Sequence, residues 1–335
     1  MEMPEHLKKV PIELLIVIAT LALYIIVRSV FDPQAEGTEI ILLIISALIV
    51  FELIYFVGIE IKQGVKKHGW KHEVVDTLIA VFIAVLLWVG ASIILNTDTP
   101  VSAVASCSML PNLERGDFII VQGADVEAYH ISMSESELRS LTEGPFVAVV
   151  DEEEEFPIPF PLYYYCNCHP SGEPCSIFLE SPEKVVETAG PFTYHYGLCE
   201  VNYRENMKGF GRCLEYVGFR GKNYYTNLSN DIVVYVPSEG ELYRNVGDIV
   251  HRTFFKIDVD GKNYYLTKGD NNPIMDIQVT DCNNPDVKNY PVPEENLRGK
   301  VIGRVPYLGY LKLFISGLWG EDQQCNWQMS YRTVD

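Results

Sequence analysis

Three short stretches carry this sequence's most reactive side chains. The first supplies a serine and the second a histidine. The hexapeptide at 106–111, Ser-Cys-Ser-Met-Leu-Pro, places Ser106 and Ser108 in a turn whose exit is constrained by proline. A serine hydroxyl becomes a nucleophile only when a base lies within hydrogen-bond reach. The candidate base is His251, in the stretch Gly-Asp-Ile-Val-His-Arg at 247–252, because an imidazole gains and loses a proton near neutral pH.

The third stretch supplies carboxylates. It reads Thr-Lys-Gly-Asp-Asn-Asn-Pro-Ile-Met-Asp at 267–276 and contains Asp270 and Asp276. A carboxylate on the second ring nitrogen of a histidine fixes its tautomer and stabilises the imidazolium that forms during attack. The three stretches therefore predict a serine, a histidine and an aspartate that together perform acyl transfer.

These stretches, in this order behind an apolar segment, resemble signal peptidase I of the archaeal and endoplasmic-reticulum type. The resemblance rests on Ser-Met-x-Pro at 108–111, Val-His-Arg at 250–252, and Lys-Gly-Asp-Asn-Asn at 268–272 followed by Asp276. It covers roughly residues 75–121 and 231–315. It implies that Ser108 is the nucleophile, His251 the general base and Asp276 the orienting carboxylate.

The resemblance also implies how neighbouring groups act. Asp270 supports the site, either by accepting hydrogen bonds that hold its loop or by sharing the histidine. The backbone N–H of Ser108 and the hydroxyl of Ser106 stabilise the oxyanion. Cys107 stands where glycine is common, and the lysine base of bacterial relatives is replaced by His251. This mechanism requires no metal and no organic cofactor.

Taken singly, each residue has a simpler structural interpretation. Ser108 would be a turn residue, and His251 would be a packing or surface residue. Their occurrence together with the loop at 270–276 and an apolar segment favours catalysis. Three histidines that lie between residues 123 and 230 are not predicted as bases: His130, His169 and His195.

Three apolar stretches, at 11–30, 40–59 and 77–95, are each long enough to cross the ~30 Å hydrocarbon core of a bilayer. We therefore predict a membrane anchor at 1–96 with about three transmembrane helices; a signal peptide is the rival interpretation of the first stretch. Basic residues mark cytoplasmic loops. They are Lys8, Lys9, Lys62, Lys66, Lys67 and Lys71. The N-terminus is therefore expected inside, and everything after residue 95 outside.

The residues after 96 have the pattern of a β protein. Short runs of β-branched and aromatic residues recur between turn signals such as Asp-Gly and Asn-Asn-Pro. The predicted strands are 118–121, 146–150, 232–236, 252–259, 263–266 and 297–305. The fold class is therefore mixed: N-terminal transmembrane helices precede a mostly antiparallel β catalytic domain, 97–122 and 231–335, with a large insertion at 123–230.

The predicted insertion has no assigned role and holds five of the eight cysteines. Cysteines on the outer side of a membrane usually pair, so disulfides are expected, although spacing does not give their connectivity. A metal site is the rival interpretation, because several spacings are loosely zinc-like. Its ligands would come from Cys166, Cys168, His169, Cys175, His195 and Cys199.

The charge balance, 45 acidic against 26 basic residues, argues against a nucleic-acid partner, because phosphates need a basic surface.

The sequence is interpreted as a multi-pass cell-membrane serine endopeptidase whose catalytic domain lies on the extracytoplasmic face. The resemblance implies that it removes signal peptides after small residues, with preproteins, the protein-export channel and the lipid bilayer as partners. Two alternatives stay open. One is a relative of narrower specificity, and the other is a catalytically silent anchored module that binds through the insertion.

Overall fold

A computed structural model describes residues 12–31, 36–204, 207–318 and 320–334. The chain divides into two compact units. One consists of residues up to Ala91 together with Leu313–Glu321, and the other of Ser92–Lys312 together with Asp322–Asp335.

Long runs of leucine, isoleucine, valine and alanine without proline form three helices in the first part of the chain. They are α1 (Ile12–Val30), α2 (Glu36–His68) and α3 (Trp70–Ile94). Within the described residues, α3 is the one helix that passes as a membrane span by length and composition. The predicted apolar stretches fall on these helices, but Lys8, Lys9 and residue 11 lie outside the described residues. The number of spans and their orientation stay predictions.

The rest of the described chain is rich in strands. They are β1 (Val101–Ala103), β2 (Phe118–Gln122), β3 (Tyr129–Ser132), β4 (Phe146–Val150), β5 (Glu154–Ile158), β6 (Val185–Ala189), β7 (Phe192–Tyr203), β8 (Lys208–Phe219), β9 (Lys222–Asn227), β10 (Ile232–Tyr235), β11 (Ile249–Val259), β12 (Lys262–Lys268), β13 (Val292–Pro293), β14 (Leu297–Val305), β15 (Trp327–Ser330) and β16 (Thr333–Val334). The short helices are α4 (Glu135–Glu143), α5 (Leu162–Cys168), α6 (Cys175–Glu180) and α7 (Tyr310–Ile315). Each predicted strand coincides with an observed one.

The first sheet has the strand order β1-β2-β14-β10-β11-β12-β13, and these neighbours are antiparallel. Strand β3 pairs with β11 in parallel. Strands β11 and β12 are joined by a tight turn and pair with Arg252 opposite Lys268. The chain that leaves β12 therefore begins beside the residues at 251 and 252.

The second sheet has the order β16-β9-β8-β7-β6-β4-β5, and β15 pairs with β7. Apart from the parallel pair β9 and β16, its pairs are antiparallel. The mostly antiparallel β domain predicted from the sequence is confirmed. The predicted insertion supplies most of this sheet, and the C-terminal strands β15 and β16 complete it.

One apolar core lies between the two sheets. Phe192 of β7 stacks on Phe255 of β11 with 5.2 Å between the ring centroids, and both side chains are fully buried. Met275 and Ile277, which follow β12, are buried in the same cluster. Burying a large apolar side chain contributes about 1.5–3 kcal/mol. The segment after β12 is therefore held by the packing of both sheets.

All eight cysteines lie within the described residues and are arranged as disulfides. The pairs are Cys107–Cys325, Cys166–Cys175, Cys168–Cys282 and Cys199–Cys213. Their Cα atoms are 4.9–6.0 Å apart, which is the normal range for a disulfide. The pairing agrees with the expectation of disulfides and uses four of the cysteines proposed for a metal site.

Removing Cys168–Cys282 is expected to destabilise the protein more than removing Cys166–Cys175. The first pair closes a separation of 114 residues and the second a separation of 9. The loop-entropy relation predicts a difference of about 2 kcal/mol in the free energy of unfolding. Each pair is replaced by two serines in the full chain, and denaturation in detergent measures the loss. Equal losses, or reactive thiols in the unreduced wild type, would contradict this pairing.

Candidate active site

The three predicted catalytic side chains come from separate elements of the first sheet. Ser108 lies in the connection between β1 and β2, which pair as an antiparallel hairpin. His251 is on β11, between β10 and β12. Asp276 begins a single 3-10 turn, Asp276–Gln278, that follows β12. Sheet pairing thus brings together residues that are 143 and 25 positions apart in sequence.

His251 is hydrogen-bonded on both ring nitrogens. Its Nε2 lies 3.0 Å from Ser108 Oγ, and its Nδ1 lies 2.6 Å from Asp276 Oδ2. The three residues are buried, with exposed fractions of 8% for Ser108, 5% for His251 and 3% for Asp276. A proton on Nδ1 leaves Nε2 free to accept one from the serine, which is the arrangement that activates a hydroxyl nucleophile.

The Asp276 carboxylate has further donors besides the histidine. Thr267 donates to Oδ2 at 2.6 Å and Tyr235 donates to the same oxygen at 3.2 Å. Burial is the main cause that raises the pKa of Tyr235 well above its usual value, and the negative charge of Asp276 is the second cause. The tyrosine therefore stays protonated and remains a donor. These bonds fix the carboxylate against His251 and satisfy its Oδ2, whereas the buried Oδ1 has no hydrogen-bond partner among the described residues.

Ser106 lies beside Ser108, with 3.1 Å between the two Oγ atoms. The predicted role of this hydroxyl as an oxyanion donor stays a prediction. Cys107 between them forms its disulfide with Cys325. Among the described residues, the positive φ angles belong to other positions and not to Cys107. The backbone therefore accommodates a β-carbon at the position where the family that the sequence resembles commonly has glycine.

Asp270 pairs with Arg252 rather than with the histidine. Arg252 Nε and Nη2 each donate to one carboxylate oxygen at 2.8 Å, and Asn112 donates to Oδ2 at 2.8 Å. Arg252 also donates to the carbonyls of Leu228 at 2.7 Å and Asn230 at 2.6 Å. Asp270 thus accepts hydrogen bonds that connect its loop to Arg252 and Asn112, and its role in the site stays a prediction.

The residue after it, Asn271, joins the loop to the turn at 106–111, the predicted nucleophile turn. Its backbone N–H donates to the Ser108 carbonyl at 2.7 Å, and its side-chain amide donates to the Cys107 carbonyl at 3.2 Å. The same amide donates to the Trp327 carbonyl at 3.0 Å, while its oxygen accepts from the Met329 amide at 2.8 Å. One asparagine thus ties the nucleophile turn to the C-terminal strand β15.

The Lys-Gly pair that precedes Asp270 lies close to the nucleophile turn and is buried. A β-carbon on Gly269 would lie 2.7 Å from the Ser108 carbonyl oxygen, so a side chain there would push the loop away from the nucleophile turn. Lys268 is buried with its Nζ 3.2 Å from the Gly269 carbonyl and 3.9 Å from the centroid of the Tyr331 ring. Burial lowers the pKa of Lys268 to about 7.

A cavity of about 530 Å³ opens beside the serine and histidine. Ser106, Ser108 and His251 line it, and the remaining wall is mainly apolar and aromatic. That wall includes Tyr163, Tyr164, Val201, Tyr203, Phe210, Tyr243, Ile249, Ile274, Trp327 and Met329. This volume is within the range of ligand sites, and the wall suits apolar side chains.

Several supporting residues were missed by the sequence reasoning. Thr267 and Asn271 stood inside the quoted motif without a role, whereas nothing in the sequence marked Asn112 or Tyr235. The histidines not predicted as bases lie away from this chain of bonds. His195, for example, stacks on Tyr216 with 4.2 Å between the ring centroids. Among the described residues, no group of three or more metal-binding side chains is arranged to hold an ion.

No protein-family model matches this chain. The chain is similar to an uncharacterized protein of Methanocaldococcus jannaschii, with 24% identity over 220 residues. The matched region makes up 65% of this chain and 85% of that protein. This likeness does not establish a family, so the function has to be argued from the site.

Replacing Arg252 by alanine is expected to lower the free energy of unfolding by about 3–5 kcal/mol, because it leaves the buried Asp270 carboxylate without its charged partner. The matched control is Arg220→Ala. Arg220 pairs with Glu137 at 3.1 Å, but that arginine side chain is 58% exposed. The control should lose at most about 1 kcal/mol. Denaturation of the full chain in detergent measures both, and similar losses would show that the Arg252–Asp270 pair does not hold the loop.

Proposed function

We propose that this chain is a membrane-anchored signal peptidase, a serine endopeptidase that removes N-terminal signal peptides from exported preproteins. The observation that carries the proposal is the hydrogen-bonded chain from Asp276 through His251 to Ser108 at the wall of a cavity. A carboxylate, an imidazole and a hydroxyl bonded in this order are an arrangement that performs acyl transfer. The order of the motifs along the sequence, which resembles signal peptidase I, supports the choice of substrate.

In the proposed mechanism, Ser108 Oγ attacks the carbonyl carbon before the cut while His251 Nε2 accepts the hydroxyl proton. Asp276 keeps Nδ1 protonated and stabilises the imidazolium. The N–H of Ser108 and the hydroxyl of Ser106 bind the oxyanion, and such a donor typically contributes about 3–4 kcal/mol. His251 then protonates the leaving amine, and it activates the water that hydrolyses the Ser108 ester.

The proposal includes a three-span anchor with the N-terminus inside and the β-rich unit on the extracytoplasmic face of the cell membrane. Helix α3 supports the anchor by its length and composition. Ser108 follows residue 95 by 13 positions. A fully extended chain of that length reaches at most ~45 Å, so the site stays near the bilayer from which signal peptides emerge. The protein-export channel and unfolded preproteins are the proposed partners.

Cleavage of a preprotein by the full chain in liposomes tests the function. Ser108→Ala and His251→Ala should each lower kcat by at least about 10³-fold, because either change removes the activated nucleophile. The control is His130→Ala, which replaces an exposed histidine on β3 and should leave the rate unchanged. The new N-terminus of the product should follow a small-x-small sequence.

A Ser108→Ala variant that still cleaves would contradict the proposed nucleophile. An inactive wild type would favour the silent membrane-anchored module, which binds a partner through the cysteine-rich insertion.

A second candidate is a signal peptidase of narrowed specificity, with the predicted insertion as selector. The observation that favours it is the cavity wall, to which β7, β8 and α5 contribute Val201, Tyr203, Phe210, Tyr163 and Tyr164. Phe210 is 76% exposed, which is unusual for a phenylalanine. A substrate in the cavity would cover such a side chain.

Phe210→Ala should change the ratio of kcat/KM values between preproteins by about 10-fold, the effect of a lost apolar contact in a specificity pocket. Leu198→Ala is the matched control, because Leu198 lies on the same hairpin and is 55% exposed but does not line the cavity. Its ratios should equal those of the wild type. If the kcat/KM ratios in Phe210→Ala equal those of the wild type, the insertion does not select the substrate through Phe210.

A further inference from the structure

The segment that carries Asp276, residues 269–278, bonds to the second sheet as well as to the nucleophile turn. Just before it, the Leu214 amide of β8 donates to the Pro273 carbonyl at 2.7 Å. Just after it, Gln278 is 1% exposed and extends toward β6 and β7. The position of Asp276 therefore depends on residues of the predicted insertion.

Gln278 uses both ends of its side-chain amide. Its Oε1 accepts from the Met275 backbone N–H at 3.1 Å, which closes the turn around Asp276. Its Nε2 donates to the Tyr196 hydroxyl at 2.7 Å and to Glu187 Oε2 at 3.3 Å. The same side chain thus fixes the shape of the turn and attaches it to the second sheet.

Glu187, on β6, is the end of this network. It is fully buried, and the Tyr196 hydroxyl donates to its Oε2. Burial raises the pKa of Glu187 to about 7. A carboxyl group in an apolar core is costly unless it is hydrogen-bonded, and a well-packed apolar residue would fill the same space. The three polar side chains therefore call for a role beyond packing.

We propose that Glu187, Tyr196 and Gln278 are positioning residues through which the second sheet holds the Asp276 carboxylate against His251. The turn between Met275 and Gln278 is too short to move at one end without moving at the other. Loss of the Gln278 contacts would let Asp276 shift relative to the ring nitrogen, while Ser108, on a separate segment, stays in place. The proposal gives the predicted insertion a part in catalysis as well as in substrate selection, and its activity readout rests on the proposed function.

The test compares Tyr196→Phe and Gln278→Leu with the wild type in the full chain in detergent. Both variants should lower kcat for a preprotein by about 10- to 100-fold, the usual effect of a displacement of about 1 Å, with KM unchanged. In the downfield region of the proton NMR spectrum, the resonance of the His251 Nδ1 proton should weaken or shift. Glu187→Gln, which keeps the shape and an acceptor oxygen, should retain most of the activity that Glu187→Leu loses.

The matched control is Tyr194→Phe. Tyr194 is also fully buried on β7, and among the described residues its hydroxyl has no hydrogen-bond partner. This variant removes the same atom from the same core and should keep both kcat and the NMR resonance.

Lower thermal stability in Tyr196→Phe with unchanged kcat and resonance would overturn the proposal and leave a purely structural network. The resonance does not depend on cleavage. If the wild type cleaves nothing but the resonance changes as expected, the proposed function fails and the positioning network stands.

Discussion

The bond between His251 and Asp276 is the interaction on which the rest of the site depends. At 2.6 Å it sets the orientation of a buried imidazole, and it decides which ring nitrogen faces Ser108. The two residues lie on different elements, so the bond forms only when β11, β12 and the turn after β12 are all in place. Most of the polar contacts in this region serve that requirement, including those from Thr267 and Tyr235 to the same carboxylate oxygen.

The second requirement is that the nucleophile turn stays beside the loop after β12. Adjacent residues on a strand point to opposite faces, so His251 faces the serine while Arg252 faces Asp270. Asn271 then bonds the backbone of the nucleophile turn, and Gly269 lets the two segments approach closely. The Cys107–Cys325 disulfide adds a covalent link from this turn to the C-terminal segment. The motif at 268–272 therefore joins these segments and also supplies the Asp270 carboxylate.

Much of this arrangement could be predicted from local patterns. The pattern of apolar residues predicts β2, β10, β11, β12 and β14 of the first sheet but only β4 of the second, and the three motifs identify Ser108, His251, Asp270 and Asp276. The second sheet could not be derived in the same way, because the pairing of β15 with β7 joins segments more than 100 residues apart. The disulfides Cys107–Cys325 and Cys168–Cys282 and the contacts of Gln278 also join segments far apart in sequence. A period-2 pattern tells which face of a strand is buried but not which side chain it meets there.

The most direct test of the central claim is to trap the acyl-enzyme. The full chain is mixed with a preprotein, quenched at low pH and digested, and the modified peptide is identified by mass spectrometry. The account predicts an ester between Ser108 and the carboxyl end of the signal peptide, which is absent from the Ser108→Ala protein. Cleavage that proceeds without an adduct, or an adduct on another residue, would contradict the assignment of Ser108, His251 and Asp276 as the catalytic groups.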